Sequence, residues 1–380
     1  MKKVYLDYSA ATPMRSEVLE AMRPFFSDEF YNPSAVYLSA KNVKSRLDEF
    51  RRSVANLLGS RPAEITFTAG ATEANNLAVQ GIAKQFPDGE ILISAVEHES
   101  VTAPAGLFGA GRIPVDENGL IILNKLSNLI NDKTVLVSVM LVNNELGTIQ
   151  PLADIAKLIA EIRRRRQSEG NGLPIYLHTD AAQAGNYLDL HTGRIGVDMM
   201  SLNGGKLYGP KQSGALYVKA GVKLRPLILG GGQESGLRSG TENVAAIAGF
   251  AKALELAQAG RRQTADHLTV LRKDFEEQLS NNFRTATING DRHRAPHITS
   301  VTFPGQDNER LMMQLDELGI MCAVGSACSA SSEEPSAVLR AIGLSEDLAQ
   351  ATLRFSLGTA TDQAGIDAAI SALRTILINR

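Results

Sequence analysis

Val43, Leu47, Phe50, Val54 and Leu57 recur at steps of three and four residues, the spacing that puts apolar side chains on one face of an α-helix. Gly59 follows as a residue able to close that helix in the left-handed conformation. A shorter helix is predicted from about Ser16 to Phe26. Apolar runs of strand length then alternate with helical patterns. Ile65 to Thr68 precede a helix from about Thr72, Ile91 to Ile93 one near Val101, and Val135 to Val139 one from about Ile155. Ile175 to Leu177 and Val197 to Met200 continue the series, and Gly214 to Val218 adds a further strand. Repeated strand–helix units of this size predict an α/β fold, a mainly parallel sheet with helices on both faces.

The rhythm changes after a long helical region from about Glu242 to Leu279. Strands at Ile298 to Phe303 and Thr352 to Ser356 mix with helices near Glu309 to Leu318, Ser336 to Ile342 and Asp367 to Ile378, a smaller α+β unit. The boundary falls inside the long helix, about Ala257 to Gly260. The expected division is a large domain over 13–257 and a small one formed by 1–12 and 258–380.

A chain of 380 residues can bury a large core, and its formal net charge of −2 argues against a general nucleic-acid or membrane-surface binder. The basic run Arg163 to Arg166 ends a helical pattern and complements the helix dipole. The two cysteines, Cys322 and Cys328, have neither zinc-site nor disulfide-framework spacing, so no metal is expected and a reducing compartment is. No signal peptide or apolar run of membrane-spanning length is read, and the expected location is the cytoplasm.

In an open parallel sheet, ligands bind beyond the carboxyl ends of the strands. The residues found there are Ala69-Gly70-Ala71-Thr72, Glu97-His98, Val142-Asn143-Asn144-Glu145, His178-Thr179-Asp180-Ala181-Ala182-Gln183 and, after the apolar run ending at Met200, Lys206 between Gly204-Gly205 and Gly209-Pro210. One sheet edge would hold a phosphate cradle at a helix start, an imidazole, an amide, a carboxylate and an amine. That set meets the needs of pyridoxal 5′-phosphate: a lysine for the aldehyde, a carboxylate for the pyridine nitrogen, donors for the phosphate and a group over the ring. A dinucleotide would need a glycine fingerprint after a strand, which Gly230-Gly231-Gly232 does not supply.

The order of these motifs, with Asn32-Pro33-Ser34, Lys206-Leu207-Tyr208-Gly209-Pro210-Lys211, Arg238-Ser239-Gly240-Thr241, Gly325-Ser326-Ala327-Cys328 and Arg354-Phe355-Ser356-Leu357-Gly358, resembles the class V aminotransferases, specifically the NifS/IscS-type (group I) cysteine desulfurases. The likeness covers nearly the whole chain. It implies a fold-type I pyridoxal-phosphate transferase with a seven-stranded, mainly parallel sheet, acting as a homodimer that turns L-cysteine into L-alanine and a persulfide on Cys328. The sulfur would supply iron–sulfur cluster assembly or RNA thiolation through an acceptor or scaffold protein, with no direct contact to nucleic acid or membrane.

By that resemblance Lys206 forms the Schiff base, Asp180 faces the pyridine nitrogen, and Gln183 and Asn144 serve the ring oxygen. His98 stacks on the ring and exchanges protons with substrate. Ala71, Thr72 and Ser201 approach the phosphate, with Asn203 a possible replacement donor, and Thr241 reaches it from the second subunit. Arg354 clamps the substrate carboxylate, with Asn32 and Asn144 also at the substrate. Cys328 is the nucleophile on a mobile run of small residues, and Cys322 a small buried residue.

Several places depart from the pattern. Gly205 and Asn203 stand where a histidine and a serine or threonine are usual, Tyr37 replaces a histidine, and Gln212 replaces a glycine. The tail beyond the last motif, ending at Arg380, is shorter than in the group. The alternatives are a non-catalytic homologue that keeps the fold as a scaffold, supported only by Gly205, and a related lyase or aminotransferase on another amino acid, against which Cys328 argues. Lys206→Ala is expected to abolish the visible absorbance of the bound cofactor, measured on the purified protein; a yellow variant with an unchanged spectrum would contradict the lysine assignment.

Overall fold

The computed structural model describes residues 3–290, 293–325 and 335–378. Among these the strands are β1 (Val4–Tyr5), β2 (Ile65–Thr68), β3 (Glu90–Ser94), β4 (Gly111–Ile113), β5 (Thr134–Ser138), β6 (Tyr176–Asp180), β7 (Met199–Asn203), β8 (Gly214–Val218), β9 (Thr287–Asn289), β10 (Ile298–Thr302), β11 (Ile320–Met321) and β12 (Thr352–Ser356). The large sheet has the order β2-β8-β7-β6-β5-β3-β4. β8 runs antiparallel to both its neighbours and every other pairing is parallel. β5, β6 and β7 are nearly fully buried because helices cover both faces; the apolar residues Val135 to Val137, Leu177 and Met199-Met200 fill them, and the polar His178, Asp180 and Ser201 inside them are hydrogen-bonded. Their common direction is what brings their carboxyl ends to one edge.

The helix Leu38–Leu58 buries the apolar positions expected of it and ends at Gly59, whose φ of 63° lets its N–H reach the carbonyls of Ala55 and Asn56. A Cβ there would lie 2.2 Å from His191 Nε2, so glycine is required by space as well as by conformation. The helix expected over Ser16 to Phe26 is instead two, Ser16–Met22 and Pro24–Ser27. Proline has no N–H to continue the ladder, so it starts a new helix. β4 was not anticipated: three residues on the sheet edge carry too little pattern. Val197-Asp198 lies outside β7, because the buried Asp198 carboxylate accepts from Leu177 N and pairs with Arg163 rather than extending the strand.

The helix Val244–Asn282 is shared between two cores. Phe250 and Leu254 in its first half pack with residues of the large sheet, while Leu268, Phe275 and Leu279 in its second half pack with Leu353 and Phe355 of β12. β12, β10 and β9 form an antiparallel sheet, and β1 pairs with β11. Asp7, just after β1, bridges to Ser356 at the end of β12, which ties the N-terminal segment to this smaller sheet. Among the described residues no helix is long and apolar enough to cross a membrane.

β12 carries Arg354 and depends on its own core. Phe355 is fully buried, edge-on to Phe275 at 5.2 Å between ring centroids. Phe355→Ala should cost about 3–5 kcal/mol of stability. A urea midpoint unchanged by the substitution would contradict this packing.

Candidate active site

Asp180 ends β6 and is buried, yet both its oxygens are satisfied: Oδ1 accepts from Ala182 N at 2.9 Å and Oδ2 from Asn75 Nδ2 at 2.6 Å. Two donors offset the desolvation of a buried carboxylate and fix its direction. Asn75 lies on the helix Ala71–Gln85, fully buried, and its role was not read from the sequence. That helix starts after Gly70, whose φ of 123° turns the chain so that the N–H groups of Ala71 and Thr72 open the helix at its positive end.

β7 ends at Asn203, and a single tight turn, Gly204–Lys206, follows. Asn203 Oδ1 accepts from Gly205 N at 3.1 Å, which leaves the amide nitrogen as the group able to donate to an anion. Lys206 Nζ donates to the carbonyls of Ser9 at 2.5 Å and Ala10 at 2.6 Å. Thr12 closes the same junction, donating from Oγ1 to Gly205 O and accepting from Tyr208 N. Ser9 and Ala10 therefore belong to the site through their backbone carbonyls, which no side-chain pattern could have signalled.

Gln183 donates from Nε2 to Ser9 O at 2.9 Å. Arg354, 3 % exposed, donates to Asp7 Oδ1 at 2.7 Å and to Asn144 O at 3.0 Å. His98 caps the helix Glu99–Gly106 with Nδ1, accepting from Ser100 N at 3.1 Å. Ala71, Thr72, His98, Asn144, Asp180, Gln183, Asn203, Lys206 and Arg354 all line one cavity, joined by Ser9, Ala10 and the apolar Met140, Val142 and Ala182. A second cavity, lined by Phe67, Gln212, Glu234 and Arg238, shares no residue with it.

Two expected contacts lie elsewhere. Ser201 faces the same side of β7 as Asn203 but one pleat deeper; it is fully buried with Oγ at 3.0 Å from His178 Nε2, so the strand end and not its middle meets the cavity. Asn32 is exposed, with its side chain closing a turn onto Ser34 N, and does not reach the cavity. Thr241 is exposed and outside the cavity of its own chain. Cys328 lies outside the described residues. The described residues on either side of its segment meet at one carboxylate: Ser336 Oγ donates to Glu145 Oε2 at 2.5 Å, and a Cβ on Gly325 would lie 3.4 Å from the same oxygen. Glu145 directly follows the cavity residue Asn144. Cys322 is partly covered, and burial followed by the Asp7 charge pushes its thiol up to about 12, which suits an inert residue.

The departures have physical readings. A Cβ added to Gly205 would meet Asn203 and Lys211 only at ordinary contact distances of 3.5 to 3.7 Å, so neither space nor backbone demands glycine there. Gln212 adopts φ of 57°, a left-handed conformation in which a glycine would be unstrained. Tyr37 is half exposed.

Beneath the cavity floor His178 lies fully buried between Ser138 Oγ at 2.8 Å and Ser201 Oγ. Burial pushes its pKa down to about 3. Burial, reinforced by the Asp180 charge, raises the Glu97 carboxyl well above its usual range, while one of its oxygens accepts from Met140 N at 2.6 Å. The donor set fits pyridoxal 5′-phosphate: Ser9 Oγ and Asn144 Oδ1 are buried in the cavity wall without partners among the described residues, as expected where a polar ligand completes them, and carboxylate, amine and helix start are the groups its ring nitrogen, aldehyde and phosphate require.

The model of the aminotransferase class-V family matches residues 4–369. The cysteine desulfurase IscS of Dictyoglomus turgidum is 37% identical over 99% of this chain and 95% of its own length. A solved NifS-like protein superposes with a TM-score of 0.89 at 32% identity, covering 99% of both chains. A structure described as SspA in complex with cysteine superposes with a TM-score of 0.80 at 36% identity, covering 93% of this chain and 98% of its own.

His178 makes stability depend on pH. Its folded pKa of about 3 lies below the ordinary value of about 6.5, so its neutral form contributes in full above pH 6.5. As pH falls from 6.5 toward 3 the unfolded chain takes up the proton first, and stability drops by about 1.4 kcal/mol per unit from this group. His178→Gln should show a shallower loss between about pH 6 and pH 4 by that slope, measured by denaturant titration beside the parent. Parallel stability curves would contradict the buried neutral imidazole.

Proposed function

Because the chain belongs to the class-V aminotransferase family and is a pyridoxal-phosphate-dependent cysteine desulfurase of the NifS/IscS type, we propose the following division of labour among its residues. The observation that carries it is the convergence of Lys206, Asp180, His98 and Arg354 on one cavity.

When bound, pyridoxal phosphate supplies an electron sink for the pair left at the substrate Cα. The N–H groups of Ala71 and Thr72 and the amide of Asn203 seat its phosphate, at the start of a helix whose dipole favours an anion. Asp180, held by Asn75 and Ala182, faces the ring nitrogen. Gln183 gives an N–H to the ring oxygen, with Asn144 beside it, and His98 covers the ring. Lys206 Nζ, positioned by Ser9 and Ala10, holds the cofactor and carries the proton at Cα. Arg354 takes the substrate carboxylate through its guanidinium.

The substrate is L-cysteine, the compound present in the SspA structure. The Cys328 thiolate attacks the substrate sulfur. A sulfur–sulfur bond forms, the carbon–sulfur bond breaks, its electron pair passes to Cβ, and protonation there completes L-alanine. Thiol plus cysteine becomes persulfide plus alanine, with no outside oxidant. Glu145, next to the cavity residue Asn144, accepts from Ser336 Oγ, and a Cβ on Gly325 would lie 3.4 Å from the same oxygen. The persulfide supplies an acceptor or scaffold protein in iron–sulfur cluster assembly or RNA thiolation. The working form is a homodimer in which Thr241 reaches the phosphate of the second copy.

Given L-cysteine and a thiol reductant, the protein should release sulfide and alanine in equal amounts. Cys328→Ser should lose both while keeping the bound cofactor, and Cys322→Ser should change little. A yellow parent protein giving neither product would overturn the reading, and equal losses in both variants would overturn the choice of thiol.

A further inference from the structure

The cap that His98 places on its helix also fixes where its proton sits. A backbone N–H can only donate, and that of Ser100 points at His98 Nδ1 from 3.1 Å, so Nδ1 carries a lone pair. Ser100 Oγ lies 2.8 Å from the same nitrogen and also accepts from Asn75 Nδ2 at 2.8 Å. Because the Ser100 N–H already makes Nδ1 an acceptor, the serine hydrogen is the one that lies between Oγ and Nδ1. The other amide hydrogen of Asn75 goes to Asp180 Oδ2 at 2.6 Å. The direction of every bond in this chain is determined: the amide of Asn75 gives one hydrogen to the carboxylate and one to the serine, and the serine gives its own to the imidazole.

With Nδ1 an acceptor, the neutral ring carries its hydrogen on Nε2, the nitrogen left for the cavity that His98 lines. We propose that His98 works from this single tautomer, as an Nε2–H donor and not as a base at that nitrogen, and that Asn75 and Ser100 are the positioning residues that fix it. Accepting a proton at Nε2 from the neutral ring would require the hydrogen to sit on Nδ1 instead, where it would face the Ser100 N–H and break the helix cap. Removal of the substrate proton then falls to Lys206, whose amine shares the cavity, and His98 contributes a hydrogen bond to developing negative charge on substrate or cofactor. What the donor meets rests on the reading above; the tautomer does not.

The same network couples the two ends of the site. Asn75 is buried on the helix Ala71–Gln85 and touches both the residue that faces the ring nitrogen and the residue that orients the imidazole. One side chain therefore holds Asp180 and His98 in fixed relation, and a loss at position 75 is felt at both.

The test is long-range proton–nitrogen NMR on protein carrying ¹⁵N-histidine, loaded and cofactor-free, at about pH 8 so that free imidazole is neutral. The His98 signals are identified by their disappearance in His98→Gln. The expected result is a hydrogen on Nε2 alone in both forms; an Nδ1–H ring, or an even mixture, would overturn the proposal. Ser100→Ala removes the shorter of the two contacts that hold Nδ1 as an acceptor and leaves only the longer backbone one, so a measurable Nδ1–H fraction and about a tenfold lower kcat for sulfide release at unchanged KM are expected, with Ser100→Thr restoring both. A Ser100→Ala protein identical to the parent in tautomer and rate would overturn the positioning role. An Nε2–H ring in a protein that releases no sulfide would support the tautomer and overturn the desulfurase reading instead.

Discussion

The amine of Lys206 lies between the carbonyls of Ser9 and Ala10, and that contact joins the two parts of the molecule. The lysine comes from the end of β7 in the large sheet. The carbonyls come from a segment that begins in β1 and bridges through Asp7 to β12 of the small sheet. Asp7 also receives the Arg354 guanidinium, so the residue expected to bind substrate and the residue expected to hold the cofactor are referred to the same short stretch of chain. A shift of the N-terminal segment would move both.

The remaining site groups follow from the direction of the parallel strands, and burial beneath them disfavours charge. His178 is neutral, and burial holds the Glu97 and Glu145 carboxyls toward their protonated forms. Asp180, buried near the floor, has both oxygens engaged by donors.

Much of the fold was legible because parallel strands buried on both faces leave continuous apolar runs and each helix keeps a periodic face. The strand ends, and hence Asp180, Gln183 and Lys206, followed from that. What escaped the sequence was information of a different kind. Pro24 splitting a helix is a local rule that the apolar spacing overrode, and β4 is too short to carry a pattern. Ser201 and Asn203 share a strand face, and only depth along the strand decides which one meets the cavity. The carbonyls of Ser9 and Ala10 have no residue signature at all, and Asn75 reads as one more helical polar residue until its two acceptors are seen.

The central claim is that sulfur leaves L-cysteine for the thiol of Cys328. Its most direct test is to mix the loaded protein with one equivalent of L-cysteine, without reductant, and map the added mass by peptide mass spectrometry under non-reducing conditions. One additional sulfur atom is expected on the peptide bearing Cys328 and none on that bearing Cys322. Sulfur on Cys322, or alanine formed with no sulfur retained on either thiol, would contradict it.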